Sequence, residues 1–275
     1  MYCADALPLY RLLQILSFWK VVALLQIRAA DIQTMTIAKF SDKATQFLDS
    51  VLRLEPSLAA FDCDGTLWAG DAGEGFFCWE LERGLLSDEV VRYETARYAD
   101  YRQGRVSEDD MCGEMVTLHA GLTEAKVQRA AAEYFDANIA PSIFPEMQEL
   151  VRRLHENGCE IWAVSSTNEW VIRDAMKHFE IPQNRVLGVA ARVENGRVTG
   201  ELTQLPSGAG KSRLIRNIIK KMPDAAFGNS RWDIAMLSIA RHAFAINPNL
   251  DLHELAGERG WPIYWPDALG KYENA

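Results

Sequence analysis

Four short apolar runs limit what this chain can fold into. LAAFD at 58–62, EIWAV at 160–164, AAFG at 225–228 and AFAIN at 243–247 have the length of buried strands. Helical patterns stand between the later ones, at 145–157 closed by Gly158, at 169–178, at 211–221 and at 233–238. Strands of this length alternating with helices predict an α/β fold, a Rossmann-like parallel sheet flanked by helices, because parallel neighbours need a crossover and the crossover helix covers the sheet.

The first two runs break the rhythm. Residues 70–158 lie between them, rich in aromatic and acidic side chains and helical in pattern, and that is too much chain for one crossover. We expect an all-helical cap inserted into a core made of 41–69 and 159–275. A chain of 275 residues can bury roughly three quarters of its unfolded surface, enough for such a core and insertion.

The stretch before them, 1–40, contains the most apolar sequence of the chain, LPLYRLLQILSFWKVVALLQI. Arg11, Gln14, Lys20 and Gln26 interrupt it, so no run of about 18 apolar residues is available to span a bilayer. Asp5 stands where a secretory signal would be basic, and no small-x-small cleavage site follows. Leu12, Ile15, Leu16, Trp19, Val22 and Ala23 recur at helical spacing, which predicts an amphipathic N-terminal helix. Such a helix packs on the domain, or serves as a surface anchor or homodimer contact without stable membrane insertion. A start at Met35 is a further alternative.

Charge excludes one class of partner. A formal net charge of -9, with no dense run of Lys or Arg, repels a polyanion, so no nucleic acid is expected. Cys3, Cys63, Cys78, Cys112 and Cys159 are odd in number and contain no Cys-x-x-Cys pair, which fits reduced thiols in a cytoplasmic protein.

The chemistry begins where the first run ends. In FDCDGTLW, Asp62 and Asp64 follow the strand at period-two spacing, so both carboxylates face one side and Cys63 the other. Two acids at the carboxyl edge of a parallel sheet are costly to bury without a cation, and that edge is where open α/β sheets bind ligands. A second candidate is LPSGAGKS at 205–212, which has the look of a nucleotide-binding loop. The P-loop pattern needs glycine at position 205, which is Leu205, and the preceding RVENGRVTGELTQ is a polar hairpin sequence with Asn195-Gly196 at its turn.

These motifs, in this order, resemble the haloacid dehalogenase superfamily, and within it the phosphoserine-phosphatase-like branch with a helical cap. FDCDGTLW is similar to the first motif of that family, AVSSTNEW to the second, Lys211 in GAGKS to the third and FGNSRWDIAML to the fourth; the tail AINPNLDLHELAGERGWPI is similar as well. The resemblance implies a Mg²⁺-dependent phosphatase acting on a small-molecule phosphomonoester through an aspartyl-phosphate. Asp62 would be the nucleophile and Asp64 the general acid and base. Ser165, Ser166 and Lys211 would hold the phosphoryl oxygens, and Mg²⁺ would sit among Asp62, the Asp64 carbonyl, Asn229 and Asp233.

One departure is chemical. The fourth motif of the family begins Gly-Asp; here it is Gly228-Asn229-Ser230, with Asp233 four residues on. The lost charge weakens metal binding and also resembles the metal-free 2-haloacid dehalogenases, which lack the second aspartate of the first motif. That keeps a dehalogenase, or a catalytically weak binding or scaffold protein, as alternatives. In the cap, Asp71 falls where phosphoserine phosphatases carry a glutamate near the substrate's amine, and Met115 falls where they carry an arginine for its carboxylate. A neutral or cationic substrate tail is expected; Phe76, Phe77, Trp79, Tyr98 and Tyr101 stand at helical spacing and read as cap core, with a pocket lining by some of them as the alternative, and Arg102 and Arg105 are able to replace the missing arginine.

Overall fold

Burial on both faces is what the four apolar runs require, and each becomes a central strand. In the computed structural model, residues 40–269 are described; the leader helix expected within 1–40 lies outside them. The chain runs α1 (Asp42–Leu52), β1 (Leu58–Phe61), α2 (Ala72–Glu82), α3 (Asp88–Arg102), α4 (Glu108–Thr117), α5 (Glu124–Tyr134), α6 (Pro145–Glu156), β2 (Glu160–Asn168) and α7 (Glu169–Ala175). It continues with β3 (Val186–Glu194), β4 (Arg197–Gln204), α8 (Ala209–Leu214), β5 (Ala225–Gly228), α9 (Ile234–Leu237), β6 (His242–Ile246), α10 (Leu250–Arg259) and β7 (Ile263–Tyr264).

The seven strands form one sheet in the order β4-β3-β2-β1-β5-β6-β7, parallel except for β4. β1 lies at its centre, Phe61 opposite both Ala163 of β2 and Phe227 of β5. All four of its residues are buried, as are the four of β5. Below the central strands, Ala60, Val164, Leu187, Ile215, Ala226, Met236 and Leu252 pack into one apolar cluster. On the other side Phe61, Phe227 and Phe244 stack in a row at centroid distances of 4.2 and 5.0 Å, adding roughly 0.5–1.5 kcal/mol per pair to the burial itself. Helix α1 closes this layer, with Phe47 stacked on Tyr264 at 4.0 Å.

The sheet is wider than the apolar runs predict. β3 begins with six buried residues, Val186 to Ala191, that form an additional parallel strand on β2. It then turns back through Asn195 and Gly196, at φ +50° and +73°, the two positive values that a two-residue type I′ hairpin needs. The edge strand β4 is mostly exposed and charged, with Arg192 and Glu201 paired across it at 2.6 Å, which discourages further strand addition.

Every regular element between β1 and β2 is helical. This segment has an apolar cluster of its own, Phe77, Leu86, Val106, Met111 and Leu118, yet it is tied to the sheet. The Gly121 and Glu124 amides donate to Val198 and Gly196 of the hairpin at 2.9 Å each, and the Trp170 indole N–H donates to Glu124 at 3.1 Å. The described residues from Asp42 onward belong to one compact unit. Its four cysteines among the described residues are free thiols, and no helix of the described residues is long and apolar enough to cross a membrane.

Gly188 shows how tightly β3 meets α7. A Cβ there would lie 2.6 Å from the Glu169 Cα, and backbone cannot step aside as a side-chain tip can. Gly188→Ala is expected to cost about 1–3 kcal/mol and to lower the melting temperature by about 2–4 °C for each kcal/mol. Thermal unfolding by circular dichroism reads this directly; an unchanged midpoint would mean that β3 and α7 are less closely packed than described.

Candidate active site

β1 ends at Phe61, and the next amide, Asp62 N–H, still donates to Phe227 at 2.9 Å, so the sheet holds Asp62 by its backbone while its side chain leaves the sheet edge. Cys63 is buried, and the Thr66 and Leu67 amides turn back onto its carbonyl at 3.0 and 2.7 Å. Gly65, at φ +70°, makes that turn feasible. Asp62 and Asp64 therefore both face one cavity of about 300 Å³.

Asp62 is only 5 % exposed. Its Oδ1 accepts from Lys211 Nζ at 2.6 Å and its Oδ2 from the Thr66 hydroxyl at 2.8 Å. The same ammonium donates to Asp233 Oδ1 at 2.6 Å. Burial pushes the Asp62 carboxyl up to about 6, with the Asp233 charge adding to the rise and Lys211 and Thr66 opposing it. Burial alone would lower the Lys211 ammonium, but Asp233 and Asp62 more than offset it and hold it above the ordinary lysine range.

Asp64 is held differently. Its Oδ1 accepts from the Trp68 indole N–H at 2.8 Å and the Ala72 amide at 2.6 Å, and its Oδ2 from the Thr167 hydroxyl at 2.6 Å. Burial, with the Asp71 charge next, pushes it up to about 7 against those donors. A group balanced there can both give and take a proton near neutral pH.

Asp233, expected among the metal ligands, is placed against Lys211 and the loop after β5. It is fully buried, with Oδ1 on Lys211 and Oδ2 accepting from the Asn229 and Ser230 amides at 3.0 Å each and from the Ser230 hydroxyl at 3.3 Å. Its lone pairs are engaged in shaping the loop after β5 and in orienting Lys211. Asn229 does line the cavity, with its amide packed on the Gly65 turn so closely that a Cβ on Gly65 would meet Nδ2 at 1.9 Å. The Asp62 carboxylate, the nearby backbone carbonyl of Asp64 and the Asn229 amide are the hard oxygen donors that Mg²⁺ takes. Asp62 and Asp233 together carry one more charge than the single ammonium between them, and this oxygen donor set fits a divalent cation.

Ser165, expected against the phosphoryl group, is 1 % exposed and does not line the cavity; its Oγ accepts the Thr167 amide at 3.1 Å and braces the turn. Ser166, Thr167 and Asn168 form the wall instead. Lys211 also lies behind the wall, reaching the site through Asp62.

On the helical side Asp71 lines the cavity and caps α2, accepting the Glu74 amide at 2.8 Å. Phe76, Phe77, Tyr98, Tyr101 and Met115 line it too, whereas Trp79 does not. Neither Arg102 nor Arg105 lines it. Arg105 is exposed and bonded to Asp100 and Gln103, and Arg102 stands at the rim, 3.7 Å from Glu74. No Lys, Arg or His is among the described residues lining the cavity. Sequence reading missed Glu74 and Glu108, which do line it, held by the hydroxyls of Tyr98 and Tyr101. It also missed Thr66, Trp68, Thr167 and Asn168.

The chain is similar to known proteins in sequence and in fold. The model of the haloacid dehalogenase-like hydrolases matches residues 59–238. A histidinol-phosphatase of Neisseria meningitidis is 25% identical over 218 residues, 75% of this chain and 97% of that protein. A phosphoserine phosphatase of Mycobacterium tuberculosis is 26% identical over 220 residues, 74% of this chain and 69% of that one. Among solved structures, a Bordetella pertussis protein of unknown function superposes with TM-score 0.65 at 21% identity, over 75% of this chain and 97% of its own. A phosphoserine phosphatase captured as a phospho-aspartyl intermediate analogue superposes with TM-score 0.53 at 18% identity, over 79% of this chain and 98% of its own. The last two likenesses are likenesses of fold.

Removing the shared cation should expose the repulsion it masks. Lys211→Met leaves Asp62 and Asp233 facing each other, and breaking a buried pair in this way costs about 3–5 kcal/mol. Without Lys211 the Asp62 carboxyl rises further above its unfolded value, so the folded variant binds a proton more readily than the unfolded chain does. Its deficit relative to wild type is therefore largest at alkaline pH, shrinks as pH falls through the variant's raised Asp62 range, and levels off below about 6, where the wild-type carboxyl is protonated as well. Urea unfolding at pH 8 and pH 5 checks the sign; an equal deficit at both would show that the ion triad is not what holds these strands together.

Proposed function

The chain belongs to the haloacid dehalogenase-like hydrolases, and from that premise we propose that it is a phosphatase that hydrolyses small phosphomonoesters through an aspartyl-phosphate on Asp62. The observation that carries this reading is the pair Asp62 and Asp64 at the floor of one cavity, the first fixed against Lys211 and the second poised at about 7. Asp62 attacks phosphorus as the ester P–O bond breaks, and the leaving oxygen takes its proton from Asp64. Asp64, now ionised, takes a proton from the water that attacks the acyl-phosphate, which frees orthophosphate and restores Asp62. Its three donors, Trp68, Ala72 and Thr167, stabilise the ionised form between these steps.

Lys211 supplies positive charge beside Asp62, and a bound Mg²⁺ would add to it. Asp62, the Asp64 carbonyl and Asn229 would hold the ion, which offsets charge on the phosphoryl oxygens when bound. The amide at position 229 contributes an oxygen without a charge, so a weaker grip on the metal than a carboxylate would give is expected. Asp64 also favours this reading over a dehalogenase, since halide leaves carbon without needing a proton.

The walls set the acceptable tail. Asp71, Glu74 and Glu108 face the cavity beside Tyr98 and Tyr101, with no cationic lining residue among those described. A carboxylate there meets like charge at a desolvation cost of a few kcal/mol, whereas an ammonium pairs with the acids or rests on a ring for about 0.5–2 kcal/mol. The two relatives' names point to different tails. Histidinol is an amino alcohol with no carboxylate, and the acidic wall favours that kind of tail over the carboxylate of phosphoserine.

Two measurements test this. Asp62→Asn should retain the fold and release no phosphate from p-nitrophenyl phosphate with Mg²⁺ present; wild-type turnover by that variant removes the nucleophile from the scheme. Independently, kcat/KM for phosphoethanolamine should exceed that for phosphoserine by about tenfold or more. The reverse preference would mean that an arginine, Arg102 being the nearest candidate, enters the cavity to meet the carboxylate.

A further inference from the structure

We infer that Glu80 and His119 are positioning residues for the substrate's tail: by sharing one proton they hold together α2 and α4, the two helices that bring acids to the cavity wall. The role rests on the phosphatase reading above. Asp71 caps α2 and Glu74 and Phe76 lie in its first turns, while Glu108 opens α4, and all four line the cavity. The far ends of the same two helices meet in the interior. Glu80 stands in the last turn of α2 and His119 just beyond the cap of α4, and neither side chain has any exposed surface. His119 Nε2 lies 2.6 Å from Glu80 Oε2, and its Nδ1 lies 3.0 Å from the Val116 carbonyl oxygen. A carbonyl oxygen only accepts, so Nδ1 carries a hydrogen. The contact between Nε2 and Oε2 then needs one further proton, on whichever of the two atoms holds it, because two bare acceptors would repel at that distance.

No other group competes for this contact. Arg97 of α3 is committed to Glu114 of α4, its Nε donating at 2.8 Å, and Glu94 of α3, the further acid beside the pair, is pushed up to about 7 by burial and then by the Glu114 charge. Burial raises Glu80 as well, and His119 opposes the rise. Its Oε1 has no hydrogen-bond partner among the described residues, so His119 is what holds this side chain. The imidazole also reaches the cavity wall directly. Phe76, one turn before Glu80 on α2, stacks on the ring at 6.1 Å and 19°, and Trp170 of α7 meets it edge-on at 5.6 Å and 81°. Three helices therefore meet on one side chain, two from the helical segment and one from the sheet's own layer. A close-packed interior passes a shift of that ring on to Phe76, and a satisfied buried polar contact fixes direction where apolar packing alone leaves freedom.

Two substitutions separate the shared proton from simple filling of space. Glu80→Leu removes the bond, whereas Glu80→Gln keeps it, since an amide N–H donates to Nε2 while Nδ1 stays on the Val116 carbonyl. Kinetics with phosphoethanolamine and Mg²⁺ are read well below each variant's melting midpoint. Glu80→Leu is expected to raise KM by about fivefold or more with kcat changed by less than about twofold, and Glu80→Gln to stay within about twofold of wild type in both. Proton NMR of the wild type should show, besides the His119 Nδ1 proton, a second slowly exchanging proton between Nε2 and Glu80, and Glu80→Gln should lack it. An unchanged KM in Glu80→Leu overturns the inference and leaves the phosphatase reading intact. So does an equal rise in Glu80→Gln, which keeps the bond, or the absence of the second proton from the wild type. A fall in kcat as large as the rise in KM also overturns it, because the effect then runs through Asp64, which the first amide of α2 holds. Should Glu80→Leu unfold, Glu80→Asp decides by the same KM comparison, a carboxyl one methylene too short to reach the imidazole with α2 in place. A wild-type protein that hydrolyses no phosphomonoester overturns the phosphatase reading, and the inference with it.

Discussion

One ammonium group holds the site together. Lys211 Nζ sits between Asp62 and Asp233 at 2.6 Å from each, in a region where none of the three has meaningful contact with solvent. Two carboxylates and one cation leave a net negative charge in a medium where charge is expensive. The arrangement persists because both carboxylates have further donors, Thr66 on one side and the Asn229–Ser230 loop on the other. It also fixes three separate parts of the chain against one another: the end of β1, the start of α8 and the loop beyond β5.

Its consequence is a division of labour between two aspartates that differ little in sequence. Asp62 is bound to a cation, and Asp64 is bound to neutral donors and faces another acid. In the proposed phosphatase scheme the first would be the nucleophile and the second the group that exchanges a proton. Because one of the donors to Asp64 is the first amide of α2, the acid is fixed jointly by the sheet and by the helical segment that walls the substrate's tail. Chemistry and selectivity meet at that bond.

Much of this is legible in the residues. The four apolar runs mark the central strands to within a residue or two at most ends, since a parallel strand buried on both faces must be apolar throughout. Asn195-Gly196 announces its turn because few other pairs tolerate two positive φ values. The first half of β3 is harder to see, because it runs without a break into the polar hairpin sequence. Analogy with the fourth motif puts Asp233 near the metal, and nothing in its spacing reveals that its oxygens are already occupied. Arg102 and Arg105 are near the cavity-lining residues in sequence, but neither side chain lines the cavity.

The sequence by itself determined the fold class and the family, because hydrophobic period and the order of four motifs are local properties that each segment carries alone. It determined as well that two carboxylates would leave the sheet edge together. Only the tertiary structure decided which groups meet across long separations: Lys211 with Asp62, Thr167 with Asp64, Asp71, Glu74 and Glu108 around one cavity. Whether a side chain is satisfied or left with an open bond is likewise a property of its neighbours. Glu80 is one more acid on a helix until the packed structure shows that His119 alone holds its side chain among the described residues, and hydrogen bonding is a matter of ångströms that spacing along a chain cannot supply.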